Sequence, residues 1–257
     1  RYWRDWSSDV CSSDLTDHIQ RAIEEGKFSC GIFLDLKKAF DSVNHQILIN
    51  KLDPYGIRGT VKDWFVSYLH NRKQFVNLGT TSSDLQQVSC GVPQGSTVLG
   101  SILFLLSIND FQNSSVVFSF HLFADDADLF HANRSLTALE QIANDELTNI
   151  QNWLHTTKLA LNIKKSSFLI FHPVQKKLPF QVIISCNGEV FKQDHCIKYL
   201  SIMCDSHLNW KDHVKLVANK IKRDIGIISK IRLFVNETIL INLYYTLIYP
   251  FLNYGIT

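Results

Sequence analysis

The amino-acid sequence predicts an α+β fold, and three observations lead to that class. Segments with helical apolar spacing and segments typical of strands are mixed along the chain without strict βαβ alternation. Of the 257 residues, 46% are hydrophobic and 19% are charged, a balance that sustains a packed core and excludes wholesale disorder. The longest apolar run, from Val98 to Ile108, is interrupted by glycine and serine, so no run approaches the roughly 20 residues of a membrane span.

Residues 1–15 look foreign to the rest of the chain. Ser7-Ser8-Asp9-Val10 is followed, after Cys11, by Ser12-Ser13-Asp14-Leu15, and this polar repeat matches neither helix nor strand periodicity. Codons for residues 11–15 can be written as the end of a common sequencing adapter. We therefore interpret residues 1–15 as a non-native artefact without stable structure, with a disordered native tail as the alternative.

The first native elements are predicted from residue 16 onwards. Apolar spacing indicates a helix that stops near Gly26, and the nearly continuous apolar run Phe28–Leu36 indicates a strand buried on both faces. A second helix should end before Pro54, because proline disfavours helical backbone in the preceding residue. Thr60 is predicted to cap the next helix, whose inward face would hold Val61, Trp64, Phe65, Tyr68 and Leu69.

The remaining elements alternate between short strands and helices. Patterning predicts a paired ribbon from Phe75–Leu78 and Leu85–Ser89, a helix over Leu99–Asp110, and a hairpin with Asp125-Asp126 at its tip. A long amphipathic helix follows over Leu136–Leu154. Short strands are expected at Phe168–Phe171, Gln181–Ser185 and Tyr199–Cys204, and the chain reads as helical from Trp210.

Charge is distributed unevenly between the two parts of the chain. Residues 1–150 hold 12 Lys and Arg against 18 Asp and Glu, whereas residues 151–257 hold 14 against 6. An acidic front and a basic back suit an enzyme that combines metal-binding carboxylates with a phosphate-binding face. The charge distribution alone, however, favours an ordinary solvated surface. The six cysteines form no C-x-x-C pair, which argues against a zinc site and for thiols in a reducing compartment.

Three aspartates are candidates for chemistry. Asp35 ends the buried strand, and Asp125 and Asp126 occupy the hairpin tip. Aspartate pairs at turns are usually structural. A carboxylate in an apolar strand is different, because burying an unpaired charge costs several kcal/mol, so Asp35 requires a cation or a hydrogen-bond partner. A Mg²⁺ ion held by carboxylates and substrate phosphates would supply that cation.

Four motifs occur in a specific order along the chain. They are Leu34-Asp35-Leu36-Lys37-Lys38-Ala39-Phe40-Asp41, Gly91-Val92-Pro93-Gln94-Gly95, Phe123-Ala124-Asp125-Asp126 and Leu161-Asn162-Ile163-Lys164-Lys165. In this combination the sequence resembles the reverse transcriptases of non-LTR (LINE-type, jockey-like) retrotransposons. Further matching segments are 67–74, 197–200, 208–210 and 244–250, so the resemblance extends from Thr16 to Thr257.

The resemblance implies a right-hand polymerase fold that performs RNA-directed DNA synthesis. Residues 16–205 would form partial fingers and a palm with an antiparallel sheet, and residues 206–257 a partial helical thumb. Asp35, Asp125 and Asp126 would be catalytic ligands of two Mg²⁺ ions, for which Mn²⁺ could substitute, and would promote in-line phosphoryl transfer.

The resemblance also assigns roles in substrate and nucleic-acid binding. Lys165 would face the triphosphate as a general acid, Phe40 would be the steric gate under the sugar, and Gln94 with Gly95 would lie against the nascent base pair. For Phe40 the alternative is a core aromatic residue, and for Lys165 a solvated surface lysine. The residues expected to contact nucleic acid are Arg72, Lys73, Lys198, Lys211, Lys215, Lys220, Lys222 and Arg223.

The expected partners are an RNA template, a DNA primer or target, and deoxynucleoside triphosphates, in a nuclear or cytoplasmic ribonucleoprotein that is neither secreted nor membrane-bound. The resemblance leaves the oligomeric state open. The chain departs from the family pattern with an extra residue after the Pro-Gln turn, with Ser101 for proline, with Ser201 for glycine, and with Asp128. It also lacks an endonuclease domain and the front of the fingers, so we expect a polymerase fragment.

Two alternatives to an active enzyme of this type stay open. One is a catalytically dead or domesticated remnant that keeps the fold and binds nucleic acid, and the departures above favour it. The other is a related intron-type or retron-type enzyme, which the segments around Arg72 and over Tyr244–Pro250 disfavour.

Overall fold

The computed structural model describes residues 8–93 and 98–254, and it confirms a mixed α+β chain. The helices are α1 (Ser8–Glu24), α2 (Ala39–Ser42), α3 (His45–Leu52), α4 (Thr60–Leu69), α5 (Leu99–Ile108), α6 (Leu136–Thr157), α7 (Lys211–Ile231), α8 (Glu237–Leu247) and α9 (Tyr249–Asn253), with a 3₁₀ helix over Asn109–Ser114. The strands are β1 (Phe28–Asp35), β2 (Lys73–Gln74), β3 (Asn77–Leu78), β4 (Thr81–Ser82), β5 (Gln86–Gln87), β6 (Ser119–Phe123), β7 (Asp126–Asn133), β8 (Ser167–Phe171), β9 (Ser185–Cys186), β10 (Glu189–Val190), β11 (Lys192–Gln193), β12 (Cys196–Tyr199) and β13 (Ile202–Asp205). Within the described ranges, no helix is both long and apolar enough to cross a membrane.

The main sheet has five strands in the order β11-β8-β1-β7-β6, with β1 at its centre. Strand β1 runs antiparallel to both β7 and β8, and β6 runs antiparallel to β7. The sheet is therefore antiparallel, as expected, except at its edge, where β11 runs parallel to β8.

Strand β1 is buried on both faces because each face of the sheet has its own apolar cluster. Ile32 and Leu34 belong to the larger cluster, together with α6 residues such as Leu147. The opposite face carries a second cluster in which Phe130 and Phe171 pack with Leu15 and Ile19 of α1. Burial on both sides explains why the sequence of β1 is almost continuously apolar.

Side-chain caps fix where three helices begin. The Asn44 side chain accepts a hydrogen bond from the backbone N–H of Ile47, and Ser135 and Asn236 do the same for Ala138 and Ile239. Each cap satisfies one of the otherwise unpaired N–H groups of the first helical turn. The predicted helices α3 and α6 are confirmed.

The expectation that residues 1–15 lack stable structure is wrong for residues 8–15. Helix α1 begins at Ser8 rather than near Thr16, and Leu15 is fully buried in the second apolar cluster. Leu15 falls four residues before Ile19, so it extends the apolar face of the predicted helix by one turn. The non-native origin of residues 1–15 stays a prediction.

Helix α4 departs from its predicted packing. It begins at Thr60, but the N-cap is Gly59 and no side chain caps it. Of the face predicted to point inward, Leu69 is buried, whereas Val61 and Trp64 are 57% and 53% exposed. The helix packs against α3, and Phe65 and Tyr68 are half-buried against the main apolar cluster, as predicted. Trp64 stacks on Tyr68 at the surface, with 5.6 Å between ring centroids.

Three of the predicted strand segments are placed differently. In the predicted ribbon, β2 pairs with β5 and β3 pairs with β4, and residues 75 and 76 lie between strands. The segment 181–184 is irregular, and β9 begins only at Ser185. The predicted strand Tyr199–Cys204 contains a hairpin turn between β12 and β13, in which Leu200 and Ser201 have φ angles of 40° and 73°. Two-residue hairpin turns with both φ angles positive favour glycine and asparagine. Neither residue is present here, so local residue preferences do not predict the turn.

We expect Ser201→Gly to raise the free energy of unfolding by about 1 kcal/mol, because glycine adopts a left-handed backbone without the Cβ penalty that serine has. Urea unfolding of the whole chain would measure the change. Ser82→Gly in the exposed strand β4 is the control, and it should lower stability instead. A Ser201→Gly protein no more stable than the parent chain would show that the turn is unstrained.

Candidate active site

The sheet brings Asp35 and Asp126 directly opposite each other, at the last pair of the β1–β7 ladder. Both backbone groups of Asp35 bond on the other side of β1: its N–H donates to Ser166 Oγ over 2.9 Å, and its carbonyl accepts from the Asn162 N–H over 2.8 Å. The Asp35–Asp126 pair is therefore of the non-hydrogen-bonded kind, in which the Cα atoms are about 4.5 Å apart and the side chains lie closest.

Asp125 occupies the tip of the β6–β7 hairpin beside this pair. Ala124 has a φ angle of 54°, and this left-handed residue turns the chain between Phe123 and Asp126. Asp125 and Asp126 are exposed, and Asp35 is half-buried. The structure thus gathers the three predicted aspartates at one end of two neighbouring strands.

Partial desolvation and the crowding of these carboxylates both act on the pKa of Asp126. Partial burial raises the pKa of Asp126, and the negative charges of Asp125 and Asp35 raise it further. Like charges in close proximity favour the neutral form of one member. Solvent at the exposed hairpin tip moderates the effect.

Asp128 lies on the same face of β7 but below the surface. It is 4% exposed, and its Oδ2 atom has no hydrogen-bond partner among the described residues. Burial raises the pKa of Asp128 well above its ordinary value, and the charge of Asp126 adds to this. Asp128 therefore favours the neutral acid form, which is a poor ligand for a cation.

The donor atoms of the site suit a divalent cation, although they do not form a closed cage. Over residues 8–93 and 98–254, no group of three or more His, Cys, Asp or Glu side chains is arranged to hold a metal ion. Asp35, Asp125 and Asp126 nevertheless offer carboxylate oxygens, which hard cations such as Mg²⁺ prefer, and Mg²⁺ completes its shell with waters and substrate phosphates. The residues therefore fit such an ion by their chemistry and charge.

The loop 160–166 is attached to the strand end that carries Asp35. The Lys37 N–H donates to the Ala160 carbonyl over 2.7 Å, in addition to the two bonds of Asp35. Lys164 and Lys165 are exposed on this loop. The backbone contacts thus bring the segment with Lys165 to Asp35, while Ser166, which makes one of the contacts, was missed at the sequence level because it looks like an ordinary turn residue.

Phe40 and the glycine-rich loop contact each other through backbone hydrogen bonds. The Val92 N–H donates to the Phe40 carbonyl over 2.8 Å, and the Gly91 N–H donates to the Val43 carbonyl over 2.7 Å. The Phe40 ring is half-buried and stacks on Phe104 of α5 with 4.3 Å between ring centroids. This position is compatible with both the packing role and the substrate role of Phe40. Gln94 and Gly95 lie outside the described residues.

The cations predicted to bind nucleic acid come from three parts of the chain. Arg72 lies over the Tyr68 ring at 5.1 Å, with Lys73 exposed beside it, and Lys198 is exposed on β12. The others are on α7, where one concave surface is lined by Asp212, Lys215, Leu216, Asn219, Lys220 and Arg223. Lys211 and Lys222 are exposed on the same helix outside that lining.

Comparisons with known proteins agree with the motifs. The family model described as "Reverse transcriptase (RNA-dependent DNA polymerase)" matches residues 7–204. The chain is 26% identical over 248 residues to the RNA-directed DNA polymerase from mobile element jockey of Drosophila melanogaster, with 91% of this chain and 26% of that protein covered. It is 27% identical over 219 residues to the probable RNA-directed DNA polymerase from transposon BS of the same species, with 80% and 23% covered.

A solved structure of Candida tropicalis telomerase with a fragment of telomeric RNA aligns with a TM-score of 0.49 and 14% identity, over 73% of this chain and 33% of that one. The chain spans about a quarter of the length of the two polymerases from mobile elements.

We expect Gly91→Ala to lower the free energy of unfolding by about 3 kcal/mol. Gly91 has a φ angle of +90°, and an added Cβ would lie 2.7 Å from the backbone oxygen of Asp41, so strain and overlap add. Gly79→Ala is the matched control, because its φ angle is +62° but nothing lies within 4 Å of the new Cβ, and it should lose only about 1 kcal/mol. Equal losses of unfolding free energy for Gly91→Ala and Gly79→Ala in urea would show that the Asp41 backbone leaves room for a Cβ at residue 91.

We expect Asp126→Asn to raise the free energy of unfolding at pH 7 in the absence of divalent cations. The pKa of Asp126 is raised in the folded chain, so its ionised form is disfavoured by folding, and this penalty is present at neutral pH and disappears as the pH falls through the pKa of Asp126. The advantage of the variant should therefore shrink between pH 7 and about pH 4. The control is Asp84→Asn in the exposed β4–β5 loop, which should change the free energy of unfolding little. An Asp126→Asn protein less stable than the parent chain at pH 7 would contradict the prediction.

Proposed function

The chain belongs to the reverse transcriptase family, and on this premise we propose that it carries the catalytic centre of an RNA-directed DNA polymerase of the non-LTR retrotransposon type. The observation that carries the proposal is the pairing of Asp35 with Asp126, with Asp125 adjacent at the hairpin tip. In this proposal residues 16–205 form partial fingers and palm, and residues 206–257 form a partial thumb.

Asp35, Asp125 and Asp126 would hold two Mg²⁺ ions. When bound, such ions lower the pKa of a primer 3′-hydroxyl and neutralise the charge of the triphosphate. The raised pKa of Asp126 supports this assignment: partial burial raises it most and the charges of Asp125 and Asp35 add to this, and a bound cation would favour the ionised form against both effects. The strand ends hold the backbone of Asp35 and Asp126 in place before any ion arrives, so little reorganisation is needed on binding.

The surrounding residues would orient the nucleotide. Lys165 is exposed on the loop that is bonded to Asp35, from which an ammonium group can reach a triphosphate and donate a proton to the leaving pyrophosphate. Phe40 keeps part of its ring exposed while Phe104 holds the other side, and a ring so fixed can exclude a 2′-hydroxyl. Gln94 and Gly95 would complete the pocket from the loop that follows Pro93.

The template and primer would be held by phosphate contacts. Lys215, Lys220 and Arg223 share one concave surface of α7, and Lys220 is further fixed over the Phe251 ring at 4.9 Å. Such cations bind any nucleic-acid sequence by neutralising phosphates and releasing counterions. We assign this surface to the RNA template and DNA primer, with Lys211 and Lys222 as flanking contacts and Arg72, Lys73 and Lys198 as contacts elsewhere.

The test is a primer-extension assay of the 257-residue chain, with a DNA primer on an RNA template, deoxynucleoside triphosphates and Mg²⁺. We expect Asp125→Asn to reduce the extension rate at least about a hundredfold, because the carboxylate that stabilises the transition state through the ions is lost. Asp84→Asn is the matched control and should keep the parent rate.

Equal activity of Asp125→Asn and the parent chain would remove Asp125 from the catalytic set. A parent chain that binds the primer–template with strong salt dependence but extends no primer would support the non-catalytic remnant instead.

A further inference from the structure

We propose that the hydroxyl group of Ser166 positions Asp35 for catalysis. The proposal rests on the proposed function, because it gives Ser166 a role toward a residue of that active site. Ser166 is 1% exposed, and its Oγ accepts a hydrogen bond from the Asp35 N–H over 2.9 Å while donating to the Asn162 carbonyl over 3.0 Å. Neither the motif resemblance nor the family match gives this residue a role.

Asp35 needs such a contact because one of its neighbouring strands has already ended. The β1–β8 ladder stops at the pair Phe33–Ser167, two residues before Asp35, whereas the β1–β7 ladder continues to Asp35. The N–H and carbonyl of Asp35 both point to the side where β8 is missing. Without the loop 160–166, these groups would lack partners at the place where the carboxylate must be held still.

Ser166 closes a ring of hydrogen bonds that joins Asp35 to the loop. The Asp35 N–H bonds to Ser166, Ser166 bonds to the Asn162 carbonyl, and the Asn162 N–H returns to the Asp35 carbonyl over 2.8 Å. The Lys165 N–H bonds to the same Asn162 carbonyl over 3.0 Å. The Ser166 hydroxyl is thus the side-chain contact that joins the Asp35 N–H to the turn that carries Lys165, in addition to the backbone bond between Asn162 and Asp35.

Two comparisons between side chains at residue 166 separate the effect of the hydroxyl group from the effect of side-chain shape. Ser and Ala differ by the hydroxyl, and Thr and Val have nearly the same shape but only Thr has the hydroxyl. We expect Ser166→Ala and Ser166→Val to lower kcat for primer extension by about tenfold or more, with a smaller change in the KM for the nucleotide, because positioning acts on the transition state. Ser166→Thr should restore most of the kcat that Ser166→Val loses. If the bulkier pair does not fold, the Ser–Ala comparison decides.

A second measurement does not require turnover. Mg²⁺ that binds the folded chain raises its unfolding temperature, and we expect this increment to shrink in the variants without the hydroxyl and to persist in Ser166→Thr. Ser107→Ala is the matched control, because Ser107 is also buried and its hydroxyl donates only to the Phe104 carbonyl of α5. It should lower the unfolding temperature without changing the Mg²⁺ increment or the kcat.

The outcomes separate this proposal from the proposed function. Parent-like kcat and Mg²⁺ increment in Ser166→Ala and Ser166→Val would overturn the role of Ser166 and leave the polymerase assignment intact. A parent chain that shows neither extension nor a Mg²⁺ increment would overturn the assignment itself. In that case, hydrogen exchange at the Asp35 amide still tests the contact: exchange that is no faster in Ser166→Ala than in the parent would overturn the tether as well.

Discussion

The antiparallel pairing of β1 with β7 is the constraint on which the rest of the structure depends. Its register buries Ile32 and Leu34 against α6 and, at the end of the same ladder, sets Asp35 opposite Asp126. Side chains alternate between the faces of a strand, so a slip of one residue would turn the apolar side chains of β1 away from their clusters and turn Asp35 to the other face. The hydrophobic effect that fixes the core therefore also fixes the carboxylate pair.

The same register makes the site electrostatically unfavourable in the absence of a cation. Burial and the neighbouring carboxylates raise the pKa of Asp126, and Asp128 is buried deeper on the same strand. The fold tolerates this because β7 also contributes Ala127 and Leu129, which are fully buried in the core. Apolar burial on one face of β7 thus offsets the repulsion among the carboxylates on the other face.

The sequence predicted those features that depend on local patterning and missed those that depend on distant partners. Helix α6 and strand β1 were predicted well because their apolar spacing is complete within each segment. Helix α4 has an equally clear spacing, yet an amphipathic pattern does not reveal whether a partner covers it, and Trp64 stays exposed. The β12–β13 turn was missed because it lacks glycine, and the bond from the Asp35 N–H to Ser166 spans 131 residues of sequence, which no local pattern encodes.

The residues assigned to the chemistry come from separate segments, and backbone hydrogen bonds join several of these segments to one stretch, residues 35–45. Asn162 bonds to Asp35, Val92 to Phe40 and Gly91 to Val43, and His45 Nε2 donates to the Gly91 carbonyl over 2.7 Å. Most of these contacts are made by main-chain atoms. They therefore constrain the backbone path of each motif, and they place few demands on the side chains of the segments between motifs. This explains why short motifs in a fixed order were enough to recognise the family, although the ribbon and loops between them were poorly predicted. It also explains why Gly91, which has no side chain of its own, matters to the site: its backbone must approach Asp41 more closely than a Cβ allows.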